Sequence, residues 1–217
     1  MSRFLVALFG VVIALSAAAQ PSLPEIDTRD DALQALDDGD ARRRAAGVLY
    51  LGRTGLATDG PLLAKRLKDE NAIVRDLAQS SIWAVWGRSG DPVADQLLAA
   101  GIEEMEHGFF QEAIYTFTKV IERKPDFAEG WNKRATVRFY AGDLHGSLAD
   151  CDEVMKRNPQ HFGALSGYGQ IYFRLEQYDK AIEYFQRALE VNPNLADLRT
   201  AIREIEKLQS EQRGRAI

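Results

Sequence analysis

The sequence predicts an all-α protein built as a helical-repeat solenoid, and three observations predict it. Pro125, Pro159 and Pro193 stand 34 residues apart, each preceded at fixed distances by the same kinds of residue. A weaker repetition runs ahead of that array, between residues 30 and 90. After the last proline comes one amphipathic stretch, with Leu198, Ile202 and Ile205 on one side and Arg199, Arg203, Glu204, Glu206 and Lys207 elsewhere. That pattern fits a final helix closing a stack.

Taken in order, residues 1–19 read as a secretory signal peptide. Arg3 precedes an apolar run from Phe4 to Leu15, and Ala17, Ala18 and Ala19 supply a small-residue cleavage site before Gln20. The run falls short of the ~20 apolar residues of a spanning helix, which is the argument against the alternative of a membrane anchor. An exported protein, periplasmic or secreted, follows from this reading. Residues 20–28, with Pro21 and Pro24, read as a flexible lead.

Between residues 29 and 90, apolar spacing predicts helices at 29–37, 41–52, 60–68 and 72–87. Leu33, Leu36, Leu49, Leu63, Leu67, Val74, Leu77, Ile82 and Val85 form their buried face. Asp37 stands six residues before Arg43 and Asp69 six before Arg75, the two pairs 32 apart. This stretch resembles a pair of short HEAT-like repeats of the kind found in bilin lyases. The resemblance implies a structural ladder of ion pairs made by Asp37, Arg43, Asp69 and Arg75. Without the resemblance, the same residues read as four amphipathic helices of the same shape. Trp83 and Trp86 lie three apart on the last of these helices, either as a plug against the first unit of the following array or as an exposed binding pair. Ser89, Gly90, Asp91 and Pro92 form a turn into the next helix, so the two arrays are expected to run on as one solenoid.

Residues 91–194 carry the 34-residue repeat. Ala113, Ser147 and Ala181 stand twelve before each proline, Phe117, Cys151 and Phe185 eight before, and Val120, Val154 and Ala188 five before. Gly101, Ala135 and Gly169 stand twenty-four before. Small residues let two antiparallel helices approach, large ones fill the gap to the next unit, and each proline stops a helix. This period and these columns resemble the tetratricopeptide repeat (TPR), a helix–turn–helix unit. The predicted helix pairs are 92–107 with 110–123, 127–140 with 144–157, and 161–175 with 178–191. Asp126 and Asn194 are expected to cap the helices after their prolines, Asp126 with Glu129 at capping-box spacing. Residues 195–210 form the capping helix, and 211–217 read as a disordered tail.

Composition bounds the function. The chain has 217 residues, a formal net charge of −5 and a single cysteine, which excludes an intramolecular disulfide and argues against nucleic-acid binding. His107, His145 and His161 each fall at a turn, apart from any metal-ligand spacing. Cys151 occupies a column otherwise filled by Phe and reads as a buried small hydrophobe. No catalytic constellation, metal site or cofactor motif is found.

What remains is surface. The TPR resemblance implies a concave face lined by the first helix of each pair. The columns that would face it hold Leu98, Ile102 and Met105 in the first unit and Asn132, Thr136, Phe139 and Tyr140 in the second. The third supplies Ser166, Gln170, Phe173 and Arg174. Family members that hold the acidic C-termini of cytosolic chaperones use a Lys/Asn/Arg clamp in such columns. Leu98, Ile102, Gly163 and Gly167 stand there instead, so that role is not implied. The expected function is a non-catalytic scaffold or adaptor for a segment of another cell-envelope protein, unless the chain itself fills the groove. Two alternatives stand beside it: a lyase-like accessory with a pocket near Trp83, Trp86 and His107, or a self-associating assembly factor. Nucleic acid and a stable membrane span are not expected, and the oligomeric state is left open.

Overall fold

The computed structural model describes residues 23–215, and the predicted signal peptide lies outside them. Among the described residues there are eleven α-helices and no strand: α1 Arg29–Ala35, α2 Ala41–Thr54, α3 Gly60–Arg66, α4 Ala72–Trp86, α5 Pro92–Glu106, α6 Phe110–Arg123, α7 Ala128–Tyr140, α8 Leu144–Arg157, α9 Phe162–Arg174, α10 Tyr178–Val191 and α11 Ala196–Arg215. The expected all-α class and helix pairs are therefore present. None of these helices is long and apolar enough to cross a membrane.

Helices α1–α4 form an N-terminal arm. Its starts reveal a repeat of 31 residues rather than 32: α1 and α3 begin at 29 and 60, α2 and α4 at 41 and 72. The matching arginines are consequently Arg44 and Arg75. Each bonds two carbonyls just upstream, Arg44 those of Asp38 and Gly39, Arg75 those of Asp69 and Glu70. Arg44 also makes a buried bidentate pair with Asp69 at 2.8 Å. Burial pushes the Asp69 carboxyl up, but bonds from Arg44 and the Asn71 amide outweigh it and hold its pKa below the ordinary value. Arg43 instead pairs with Asp31 and Asp38, and the exposed Asp37 with Arg66. Of the four residues expected in the ladder only Asp69 is in a buried ion pair, and its partner is Arg44; Arg75 is in no ion pair among the described residues, so the expected ladder is not formed. Of the lead, residues 23–28 are described and irregular, with Ile26 buried in the arm's core.

In the following array the small-residue columns have a specific cause. A Cβ on Gly101 would stand 2.6 Å from the Phe117 ring, and one on Gly169 would meet the Phe185 ring in the same way. The middle unit has Ala135 where the others have glycine and Cys151 where they have phenylalanine, so the smaller partner makes room for the methyl. Positive φ at Gly108 and Gly142 closes the first two intra-unit turns, and Glu176 takes the same left-handed conformation in the third.

The caps differ from expectation. Asp126 is exposed and makes no cap to α7, because the cap position falls at Phe127, one residue later. At the same place in the next unit stands His161, whose Nδ1 accepts the Ala164 amide. Helix α11 runs on through Arg215, where a disordered tail was expected from 211. An i,i+4 pair of Lys207 with Glu211 extends its charged face.

The arm does not prolong the solenoid. It turns back at Ser89–Asp91, where Gly90 has φ +75° and Asp91 caps α5 and pairs with Arg123 at 2.9 Å. Helix α4 then lies along the turns that join one unit to the next. Trp83 and Trp86 pack on Phe162, both at 5.1 Å between ring centroids. Asn192 donates to Gln79, and Arg75 donates to Asn194. The arm's core takes in Phe162, Val191 and Leu195 from the array, whereas the core of the first unit holds no arm residue. The tryptophan pair was expected against that first unit and sits against the third. Arg75 bonds upstream carbonyls as Arg44 does, but its side-chain partner is the neutral Asn194, from the turn before α11.

Candidate protein-binding groove

Of the eleven residues expected on the concave face, Leu98 is buried, and the half-buried Ile102 and Met105 pack with it against the first unit's own core. Asn132 is buried as well, donating from Nδ2 to Glu129 Oε2 at 3.1 Å. Thr136 and Ser166 return their hydroxyls to carbonyls four residues back, those of Asn132 and Phe162. Phe139, Tyr140, Gln170, Phe173 and Arg174 are brought together. Tyr140 is 56% and Phe173 40% exposed.

Two adjoining depressions share Phe139 and Gln170. One, of about 150 Å³, is bounded by Asn132, Thr136, Tyr140, Gly163 and Gly167 among others. The second, of about 270 Å³, is mainly apolar and lies against α11, with Phe173, Arg174, Phe185, Ala201, Glu204, Ile205 and Leu208 around it. Arg174 lies over the Phe139 ring and donates to the Phe139 carbonyl, which fixes the wall between the two. Sequence reasoning placed α11 as a cap and missed its side of the groove. The signal was Leu208, three residues after Ile205 and so on the same helix face. Among the described residues, Trp83 comes close to the groove at Gly163, where an added Cβ would meet its ring at 2.5 Å.

Polar groups do converge where arm and array meet, around His161 rather than the expected His107. His107 is exposed, bonded to the Glu103 carbonyl and stacked on Phe109. His161 is fully buried and lies flat on Trp86, centroids 4.3 Å apart. Because its Nδ1 accepts the Ala164 amide, the ring proton sits on Nε2 and is donated to Glu129 Oε2 at 3.0 Å. Burial pushes the Glu129 carboxyl up; the His161 bond and the charge of Lys133, 3.2 Å away, more than offset this and hold it low. Every one of these groups is engaged in holding α7, α9 and α4 together. Cys151 is buried, and burial together with Asp150 and Asp152 pushes its thiol up to about 12, so it is no thiolate near neutral pH. Among the described residues no group of three or more His, Cys, Asp or Glu is placed to hold a metal.

A family model described as the tetratricopeptide repeat matches residues 164–195, which span α9, its turn and α10. The chain carries tetratricopeptide repeats. A TPR repeat-containing protein of Rhizobium etli is 32% identical over 129 residues, covering 59% of this chain and 62% of that protein. Hsp70-Hsp90 organizing protein 1 of Glycine max is 26% identical over 156 residues, 71% of this chain and 26% of that one. The chain thus spans under two thirds of the first relative and about a quarter of the second. Among solved structures, the first TPR of Spaghetti (RPAP3), bound to an HSP90 peptide, aligns with a TM-score of 0.52 at 25% identity, covering 54% of this chain and 93% of that one. The TPR domain of Sgt2 from Aspergillus fumigatus aligns with a TM-score of 0.54 at 19% identity, over 57% and 83% of the two chains, which speaks for the fold. These matches concern TPR domains, and the HEAT resemblance of the arm gains no support from them.

Proposed function

We propose that this chain is a non-catalytic adaptor that holds a partly apolar segment of another protein in the groove across α7, α9 and α11. The observation that carries this is the pair of adjoining depressions that share Phe139 and Gln170, one edged by the exposed Tyr140 and the other, mainly apolar and about 270 Å³, by the exposed Phe173. Aromatic side chains that are rigid, large and left in water are the usual anchors of protein interfaces. The TPR of Spaghetti holds a peptide, and a peptide-like segment is the ligand this reading assigns here too. Its chemistry differs from that of an acidic chaperone tail: the columns that would supply a basic clamp hold Leu98, Ile102, Gly163 and Gly167, and Gly163 lies under Trp83.

The apolar run Phe4–Leu15 followed by Ala17–Ala19 supports export, and with it a partner in the cell envelope. The test is affinity capture from an envelope fraction with wild-type protein and with Tyr140→Ala and Phe173→Ala. A partner retained by wild type and lost from both variants is the expected result. Equal recovery by all three would overturn the assignment of the groove, and a wild-type protein that self-associates through these residues would redirect it to a second copy.

A further inference from the structure

The groove leaves unused a cleft of about 610 Å³ on the opposite edge of the array, within the ~300–1,000 Å³ of small-molecule sites. One wall is the arm's 3-10 turn Ala57–Asp59 with its flanking Leu56 and Pro61; the other is the pair of turns around Pro125 and Pro159. Leu56 is 52% exposed over the cleft, and the buried Trp86 forms part of its back.

The rim is cationic. Arg88 bonds the carbonyls of Gly52 and Gly55 and has no carboxylate partner among the described residues. Lys124 Nζ forms a long ion pair with Asp126, 3.6 Å apart, and Arg157, paired with Glu153, is the third cation of the lining. The remaining carboxylate, Glu129, is already met by His161 and Lys133. With Arg88, Lys124 and Arg157 set against the carboxylates Asp126 and Glu129, the lining carries an excess of positive charge, and an apolar wall under such a rim suits a ligand with an apolar body and one anionic end. We propose that this cleft binds a small amphipathic carboxylate, its apolar part against Leu56, Pro61 and Pro159 and its anionic end toward Lys124 and Arg88. Neither arm nor array forms the site alone.

The test uses the full chain, anilinonaphthalene sulfonate as a fluorescent probe excited through tryptophan, and dodecanoate as competitor. One saturable site emptied by dodecanoate is expected. Leu56→Glu, at an exposed position that leaves the fold intact by circular dichroism, weakens both ligands by about tenfold or more, equivalent to about 1.4 kcal/mol. Lys124→Met weakens dodecanoate but not dodecanol, and Phe173→Glu in the groove changes neither. Non-saturable binding, unchanged affinity in Leu56→Glu, or equal loss in Phe173→Glu would overturn the proposal. An equal effect of Lys124→Met on dodecanoate and dodecanol would overturn its anionic half.

Discussion

Phe162→Ala tests whether arm and array are one folding unit. Phe162 opens α9, is 1% exposed, and has the rings of Trp83 and Trp86 each 5.1 Å from its own. Removing the ring forfeits roughly 1.5–3 kcal/mol of apolar transfer. A cavity adds to that, giving about 3–5 kcal/mol for such truncations. The walls here cannot readily close, because α4 is held over the site by Gln79 with Asn192 and by Arg75 with Asn194, so a loss near 4 kcal/mol is expected. Against a typical total of about 5–15 kcal/mol, that moves a urea midpoint by a large and measurable step. Far-UV circular dichroism and tryptophan fluorescence should report a single wild-type transition and shift together in the variant. A change under about 1 kcal/mol, or a wild-type arm that melts separately by fluorescence, would refute the reasoning.

Cys151→Phe should cost about 1–3 kcal/mol by overpacking against Ala135, and adding Ala135→Gly should recover most of it, as the Gly/Phe pairs of the outer units do; a strictly additive double variant would show the columns are uncoupled. Gly101→Ala, with Phe117 2.6 Å from the new methyl, should lower the thermal midpoint, whereas a change at the open Gly39 to Ala should not lower it comparably. Asp69 has a folded-state pKa below its ordinary 3.8, so the stability it contributes is complete above that value and lost as pH falls through the lower folded one. The difference in urea midpoint between wild type and Asp69→Asn should therefore be constant from pH 7 to about 5 and shrink below about 4. A difference that grows on acidification would contradict the buried Arg44–Asp69 pair.

The periodic part of the fold was legible because its causes are local. Prolines, small residues and helix-spaced apolar positions act within one 34-residue unit, and helix ends read from them agree with the structure within a residue or two. The arm's register slipped because Arg43 and Arg44 are adjacent and both charged. Only the long-range pairing with Asp69 distinguishes the buried one. The docking of the arm was illegible for the same reason, since Asn192–Gln79 and Asn194–Arg75 join residues more than a hundred positions apart. Phe139, Gln170, Phe173 and Arg174 line one depression because their columns recur on neighbouring helices, whereas the packing of Leu98, Ile102 and Met105 into the first unit's core depends on how tightly that unit closes on itself.

The docking of the arm connects it to the groove. The arm's core reaches the third unit and α11's leading turn through Phe162, Val191 and Leu195 and bypasses the first unit, so the bracing is applied to the helices whose far edges carry the groove. Helix α9 is held at its start by Trp83, Trp86 and the His161 cap, and presents Gln170, Phe173 and Arg174 from its other end. A surface meant to keep Tyr140 and Phe173 in water needs such a support, because an unbraced pair of neighbouring units can shift to bury exposed aromatic rings against one another. On this view the arm is not a second module joined to a repeat array. It packs on α9, α10 and the turn before α11, and on the proposed function variants that loosen it should weaken partner binding at a groove they never touch.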